Sequence, residues 1–349
     1  MNNKIVLLTG NNRFFGQTRR PWTPINLDKF KEYINELGFE IDERNFHEVA
    51  NSPNPPRNSY IFYTFSQKEN LRHYLTDIVR YLELLGNILI PKYDLLLCHE
   101  NKGYQELLKK SIGIKSLYAY YLSNYKEYKE YELNYPVVLK TVDGTNAKGV
   151  HLVNNNKQFE KRLQQINPKL SVFSKIDLIR REYLRRKKAY PGYPEYATKT
   201  DLEQYRDFIQ PETRYVLQEF VPNLSFDYRV IILNNKFFPM KRLTNDNDFR
   251  ASGTKNFLFS DEVPHDLLDY ANSIYQKLNT PFISLDIGET KDGFCLFEFQ
   301  ALHFGISSII LSKGYYQLSG DIYKFVHKQP DFERFLAEGL TSYIKKQRQ

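Results

Sequence analysis

The feature that most constrains this fold is a pair of acids set into two apolar runs. Asp286 lies within Phe282–Ile287 and Glu298 within Phe294–Phe299, and the connection Glu289-Thr290-Lys291-Asp292-Gly293 is short, polar and ends on glycine. Such runs joined by a turn predict a hairpin, which brings the two carboxylates side by side. Paired carboxylates in an apolar setting repel each other and lose hydration, so the arrangement is sustained most readily by a cation between them. Gln300, two residues beyond Glu298, falls on the same face and adds a neutral oxygen. Oxygen donors of this kind suit magnesium, or manganese, with substrate phosphates completing the shell. The alternative is a surface hairpin with solvated acids.

Upstream of the hairpin, buried strands again carry polar groups at their ends. Leu217, Phe220, Val230, Ile232 and Leu233 predict strands covered on both faces, with a hairpin turn at Asn234-Asn235. The polar landmarks are Leu217-Gln218-Glu219-Phe220-Val221, Asp227-Tyr228-Arg229 and Asp248-Phe249-Arg250-Ala251-Ser252-Gly253. Earlier still, Tyr135–Lys140 reads as a strand ending in lysine, followed by a turn containing Gly144 and Gly149 and the strand His151–Val153. A glycine turn between antiparallel strands can close over phosphates and offer backbone N–H groups, while Lys140 adds a point charge. An ordinary glycine hairpin is the alternative.

The N-terminal third alternates strand and helix. Lys4–Leu8 reads as a first strand, Leu27–Leu37 as a helix ended by Gly38, 39–41 as a strand, 60–65 as a strand and Asn70–Leu85 as a helix. That alternation predicts a parallel sheet, whose carboxyl edge is where open α/β sheets bind ligands. The turn Thr9–Gly16 leaves this edge but lacks a Gly-Lys-Ser/Thr ending, so it is not a phosphate-binding P-loop. Arg13, Arg19 and Arg20 are candidate contacts to an acidic substrate, against the alternative of solvated loop arginines.

Composition narrows the partners. With 349 residues the chain can bury a large core and form two or three lobes. No apolar stretch reaches the roughly 20 residues needed to span a bilayer, and the N-terminus is too brief for a secretion signal. Cys98 and Cys295, both placed in strand-like apolar runs, encode neither a disulfide framework nor a zinc site, and a reducing cytoplasm is the expected compartment. A net charge of +8 points to acidic ligands. Between 154 and 214 lies an insertion-like segment whose helix, Lys175–Lys188, sets Ile176, Ile179, Tyr183 and Leu184 in register among Arg180, Arg181, Arg185, Arg186, Lys187 and Lys188. With the tyrosines that follow, it could grip nucleic acid or an acidic glycan; a solvated basic helix is the alternative. From Leu311 onward helices are expected, with a frayed tail at Lys345–Arg348.

The ordered set from Gln218 to Gln300 resembles the nucleotide-binding half of the ATP-grasp superfamily, most similar to the branch of glutathione synthetase and the RimK-like glutamate ligase of a ribosomal protein. The resemblance extends over about Asp94–Ser308. It implies an α/β ATP-grasp fold with an N-terminal open α/β domain over 1–98, an ATP-grasp domain over 99–330 with a lid at about 135–214, and a C-terminal helix and tail over 331–349. Gln218, Glu219, Phe220 and Val221 would form the adenine hinge, Asp227 would hold the ribose, and Lys102, Lys140, Arg250 and the glycine loop of Gly144 and Gly149 would meet the phosphates. Asp286, Glu298 and Gln300, the last in place of the branch's Asn, would hold two magnesium ions. Arg229, Ser252 and His303 are candidates on the substrate side. The implied activity is an ATP- and magnesium-dependent ligase that joins a carboxylate to an amine or thiol through an acylphosphate, with Lys140 and Arg250 as catalytic charges. The acceptor would be an acidic small molecule, peptide or saccharide. The alternatives are a phosphotransferase acting on a hydroxyl and a nucleotide-dependent protein that binds RNA or another acidic polymer. A homodimer is left open.

Overall fold

In the computed structural model, residues 3–16, 25–66, 68–124, 127–142, 149–184, 198–245, 248–251, 256–259 and 262–349 are described. Strands β1 (Lys4–Thr9), β2 (Glu40–Asn45), β3 (Tyr60–Tyr63) and β4 (Ile88–Ile90) form the parallel sheet that the alternating pattern predicts, in the order β2-β1-β3-β4. Helices α1 (Leu27–Glu36), α2 (Phe46–Asn51) and α3 (Glu69–Leu84) alternate with these strands. In α1, Asn26 caps the first turn by accepting from the Lys29 N–H, and Leu27, Phe30 and Ile34 are buried on one face. A capping box between Asn45 and Glu48 starts α2.

Cys98 corrects its sequence expectation. It follows a short helix, α4 (Tyr93–Leu97), and lies in no strand. The run Asp94-Leu95-Leu96-Leu97 contains no β-branched residue, leucine is a strong helix former, and Asp94 sits favourably in the first turn. Helix α5 (Lys102–Ser111) follows, capped by Asn101 through the Tyr104 N–H.

The second sheet is antiparallel, with β5 (Ala119–Leu122), β6 (Val137–Thr141), β7 (Val150–Val153) and β8 (Tyr215–Glu219) in the order β5-β8-β6-β7. Leu122, Leu139, Val153 and Leu217 share its core with Phe159 and Leu163 of α6 (Asn156–Ile166). Helices α7 (Val172–Leu184) and α8 (Thr198–Ile209) complete the insertion, and residues 185–188 of the expected basic helix lie outside the described residues.

The third sheet contains β9 (Phe226–Leu233), β10 (Lys236–Leu243), β11 (Phe257–Leu258), β12 (Phe282–Thr290), β13 (Gly293–Gln300), β14 (Tyr315–Ser319) and β15 (Ile322–Val326). Its order is β13-β12-β9-β10-β14-β15, with β11 beside β10. Tyr228, Val230 and Ile232 of β9 face α9 (His265–Leu278), whose Leu267, Ala271 and Ile274 fill one core. On the opposite face, Ile231 and Leu233 join Ile5, Leu7, Phe62, Phe282 and Leu340 in a second core. Helices α10 (Ser307–Ile310) and α11 (Phe332–Lys346) complete the chain.

Two further expectations change here. The segment after Leu311 first makes the hairpin β14–β15, because its tyrosines favour a pleated surface and Gly320, at φ +60°, supplies the turn. The tail is anchored, with Arg348 donating to the Asn3 side chain at 2.6 Å and stacking over the Phe39 and Tyr60 rings.

The chain divides into two compact units, Met1–Tyr118 with Val221–Gln349, and Ala119–Val142 with Gly149–Phe220. The expected border at residues 98/99 falls inside the first unit, where β1, β3, β9, β12 and α11 share one core. Among the described residues no helix is long and apolar enough to cross a membrane.

Candidate active site

Period-two alternation along β9 places Asp227, Arg229, Ile231 and Leu233 on one face. The Leu233 end enters the core, whereas the Asp227 end gathers charge. Arg229 lies opposite Asp286 of β12, and Asp286 opposite Glu298 of β13, so the predicted hairpin does set the two acids in register. Asp227 lies opposite Arg242 of β10. A bulge follows Asp286, and Gly288 leaves room for the Phe297 ring, whose Cζ would be 2.1 Å from a Cβ there.

The side chains form a continuous ion network. Arg229 donates from Nε and Nη2 to the Asp286 oxygens at 2.8 and 2.9 Å, and Arg242 approaches Asp286 Oδ2 at 2.9 Å. Arg242 also donates to both Asp227 oxygens at 2.7 and 2.6 Å. Arg242, Asp227 and Asp286 are all buried. Burial alone would raise the Asp286 pKa, but the two guanidiniums outweigh it and hold this carboxyl at about 2. At Asp227 burial prevails, with repulsion from Asp286 adding to it, and its pKa is raised despite Arg242. Asp227, expected at a ribose, thus has both oxygens engaged by Arg242.

The expected metal ligands share this face unequally. A carboxylate offers about four lone-pair directions, and the guanidiniums take three at Asp286. Glu298 accepts from Gln300 Nε2 at 3.3 Å. Among the described residues no three Asp, Glu, His or Cys side chains converge as a metal cluster. The oxygen donors left on this face are Glu298, the better exposed acid, Gln300 and the fourth lone-pair direction of Asp286.

The other candidates are placed variously. Lys102 is buried at the first turn of α5, unlike an ordinary surface lysine. Arg250 is held by Asp248, Nη2 to Oδ2 at 2.8 Å, which lowers the Asp248 pKa by hydrogen bonding. Arg13 has a half-exposed guanidinium that pairs with Glu43 and Asp28 at 2.6 and 2.8 Å. His303 is likewise satisfied in its loop: Nε2 meets the Phe65 carbonyl at 2.8 Å, and burial lowers its pKa to about 4. Arg19, Arg20, Gly144 and Ser252 lie outside the described residues.

In the second unit, Lys140 donates to Gln218 Oε1 at 2.6 Å. Both project from the same face of the β6–β8 ladder, Gln218 buried and Glu219 exposed at the strand end. Gly149, at φ +76°, begins β7's approach, and a Cβ there would lie 2.1 Å from Thr141 Oγ1, so the turn requires glycine.

No family model and no curated protein matches this sequence. Solved structures do match it along its length. A RimK-domain ATP-grasp protein from Sphaerobacter thermophilus superimposes with a TM-score of 0.50 at 13% identity, covering 97% of this chain and 99% of its own. The D-cycloserine synthetase DcsG gives 0.52 at 10% identity, with 97% and 99% covered. The chain has the ATP-grasp fold. A RiPP-associated ATP-grasp ligase from Chryseobacterium gregarium, solved with ADP and a leader and core peptide, gives 0.50 at 13% identity over 98% of this chain and 97% of its own. At such identities the likeness is one of fold, and an ATP-grasp fold does not by itself name a reaction.

Two residues of this chain escaped the sequence reading. Arg242 was legible in principle: once the β9–β10 turn is fixed at Asn234-Asn235, position 227 must face position 242. Gln105 carried no such signal. Its Oε1 accepts from the Phe299 N–H at 3.1 Å, fastening the helix that begins at Lys102 to the strand that carries Glu298.

Proposed function

We propose that this ATP-grasp chain is an ATP- and magnesium-dependent ligase that joins a carboxylate to an amine or thiol through an acylphosphate. The observation that carries the reading is the row Arg229–Asp286–Glu298, which sets a fixed guanidinium beside a buried and a part-exposed carboxylate on one sheet face. The family resemblance assigns the nucleotide phosphates to Lys102, Lys140 and Arg250 and the base to Gln218–Val221. Glu298, Gln300 and the remaining direction of Asp286 would hold magnesium, which would supply neutralisation of charge on the phosphates. Asp227 acts as a positioning residue for Arg242. A carboxylate oxygen attacks the γ-phosphorus as ADP departs. The amine then attacks the acyl carbon, phosphate leaves, and the amine proton passes to solvent. Arg229, anchored by Asp286, would stabilise the negative charge that develops on the acyl oxygen as the amine attacks.

The decisive experiment incubates the protein with ATP, magnesium, amines and a panel of acidic acceptors that includes sugar acids and short peptides. The Chryseobacterium gregarium ligase, solved with a peptide, keeps peptides on that panel. Mass spectrometry is expected to find ADP, phosphate and an amide. A phosphorylated acceptor without released phosphate would move the assignment to a phosphotransferase, and acceptor retention without ADP would move it to a binding protein.

The nucleotide contacts divide further. Lys140→Met is expected to weaken ATP about ten- to a hundredfold, the equivalent of one charge-assisted hydrogen bond of about 1.5–3 kcal/mol. Glu219→Ala is expected to change the preference between ATP and GTP instead. Titration of both nucleotides against both variants tests this, and identical profiles would contradict the division.

A further inference from the structure

Helix α5 buries an unusual set of residues. Its buried positions are Lys102, Gly103, Gln105, Glu106 and Lys109, with no apolar side chain among them, whereas Leu107 is exposed. A buried polar face costs stability unless its groups are hydrogen-bonded. Lys109 donates to Glu106 at 2.7 Å within the helix. Gln105 reaches beyond it: Nε2 donates to the Cys98 carbonyl at 3.0 Å, and Oε1 accepts from the Phe299 N–H at 3.1 Å. Its buried amide thus joins two backbone groups as a peptide unit would. The Cys98 carbonyl also accepts from the N–H of Asn101, the cap of α5.

The bond to Phe299 falls where the sheet holds its strand least. β13 ends the sheet order, with β12 on one side, and Gln105 takes an N–H on its outer edge. Asp286 faces Glu298 but Ile287 faces Leu296, which leaves Phe297 as the extra residue of a bulge immediately before Glu298. The Phe299 N–H belongs to the peptide unit that joins Glu298 to Phe299. Residues 298 and 300 share one face of the strand, while Phe299 is buried in the core on the other. Fixing this peptide fixes the directions in which Glu298 and Gln300 leave the strand.

We infer that Gln105 is a positioning residue for Glu298 and Gln300: it pins the peptide unit after Glu298, holds both oxygen donors on their shared face, and through Cys98 ties them to the turn that starts the Lys102 helix. The inference rests on the proposed magnesium site and extends it by assigning the site's geometry to a side chain outside it.

The test uses the full chain, with manganese as the probe beside a non-hydrolysable ATP analogue and free manganese read by electron paramagnetic resonance. Gln105→Met keeps the side chain's length and removes both hydrogen bonds. It is expected to weaken manganese about tenfold or more, the usual scale for losing a group that orients a metal's ligands. Hydrogen exchange followed by mass spectrometry should show an additional exchanging amide in the peptide containing Phe299, before metal or nucleotide is added. ADP release by this variant should approach the wild-type rate as magnesium is raised, since the defect lies in metal affinity. Gln105→Ala should show the same pair of losses, which keeps the test open if Gln105→Met does not fold. Gln105→Glu, which keeps an oxygen for the Phe299 N–H, should lose less of both. Tyr33→Phe is the control for a general loss of stability, because it removes the bond to Asp331 that joins α1 to the cap of α11, and its manganese affinity should match wild type. Wild-type affinity in Gln105→Met, a protected Phe299 amide in a variant that binds poorly, or an equal loss in Tyr33→Phe overturns the inference and leaves the metal assignment standing. A wild-type chain that takes up no manganese beside the analogue removes the metal assignment, and the inference with it.

Discussion

Glu298→Gln is expected to lower ATP turnover by about three orders of magnitude and to leave the unfolding transition where it is. Glu298 is part-exposed on β13, and its contact with Gln300 survives the change from carboxylate to amide, so little structural energy rests on its charge. A magnesium ion held there would lose its more exposed carboxylate ligand. Metal stabilisation of transition-state charge is worth several kcal/mol, and each 1.36 kcal/mol is a factor of ten in rate. Turnover is read as ADP release across a magnesium titration, and partial recovery at high magnesium is expected because the defect is one of affinity. Undiminished turnover would remove the metal assignment. Asp286→Asn is a poorer test of the same idea, because it also removes the counter-charge of Arg229 and Arg242. Loss of activity in that variant could come from displaced arginines as readily as from a displaced ion.

Arg242→Met is expected to destabilise the protein by about 3–5 kcal/mol at neutral pH, the usual consequence of deleting one partner from a buried ion network. Its guanidinium is almost fully enclosed and bonds both Asp227 and Asp286, so the variant leaves Asp227 buried without its counter-ion. The deficit depends on pH, with opposite signs at the two acids. Asp286 has its folded pKa depressed to about 2, against about 3.9 unfolded. Its contribution is present above the unfolded value and lost as pH falls toward the folded one. Asp227 has a raised folded pKa, so it favours the folded state below its unfolded value and loses that advantage as pH rises through the folded one. Without Arg242 both carboxyls shift upward and protonate more easily. The stability gap between wild type and variant should therefore narrow as pH is lowered from 7 to 4. Urea midpoints at the two pH values measure this. A gap that stays constant or widens would show that the network's charges are not what Arg242 stabilises.

Arg250 and Lys140 show how unevenly a sequence announces its site. The Asp248-Phe249-Arg250 turn carries a local ion pair, since Asp248 and Arg250 are two residues apart and bind each other. Lys140 and Gln218 are 78 positions apart yet meet across β6 and β8. Each was a candidate from its own strand, but their contact depends on a pairing register that neither segment encodes alone. The same holds for Arg13. Its role looked open in sequence because Glu43 and Asp28 are distant along the chain, and only the placement of β2 beside β1 brings Glu43 to it.

By itself the sequence determined the parallel N-terminal sheet, the β12–β13 hairpin and the meeting of Asp286 with Glu298. Period-two alternation and a short turn fix register locally, and a one-residue slip would turn the whole apolar set outward. The strands of β6 and β7 were equally legible, with Lys140 near the end of the first and Gly149, at φ +76°, entering the second. Tertiary structure decided the rest. It sealed Asp227 with Arg242, tied α5 to β13 through Gln105 and anchored Arg348 on the first sheet. Each depends on which elements become neighbours, and a side chain's partner across a sheet or a core carries no periodic mark in the sequence that supplies it.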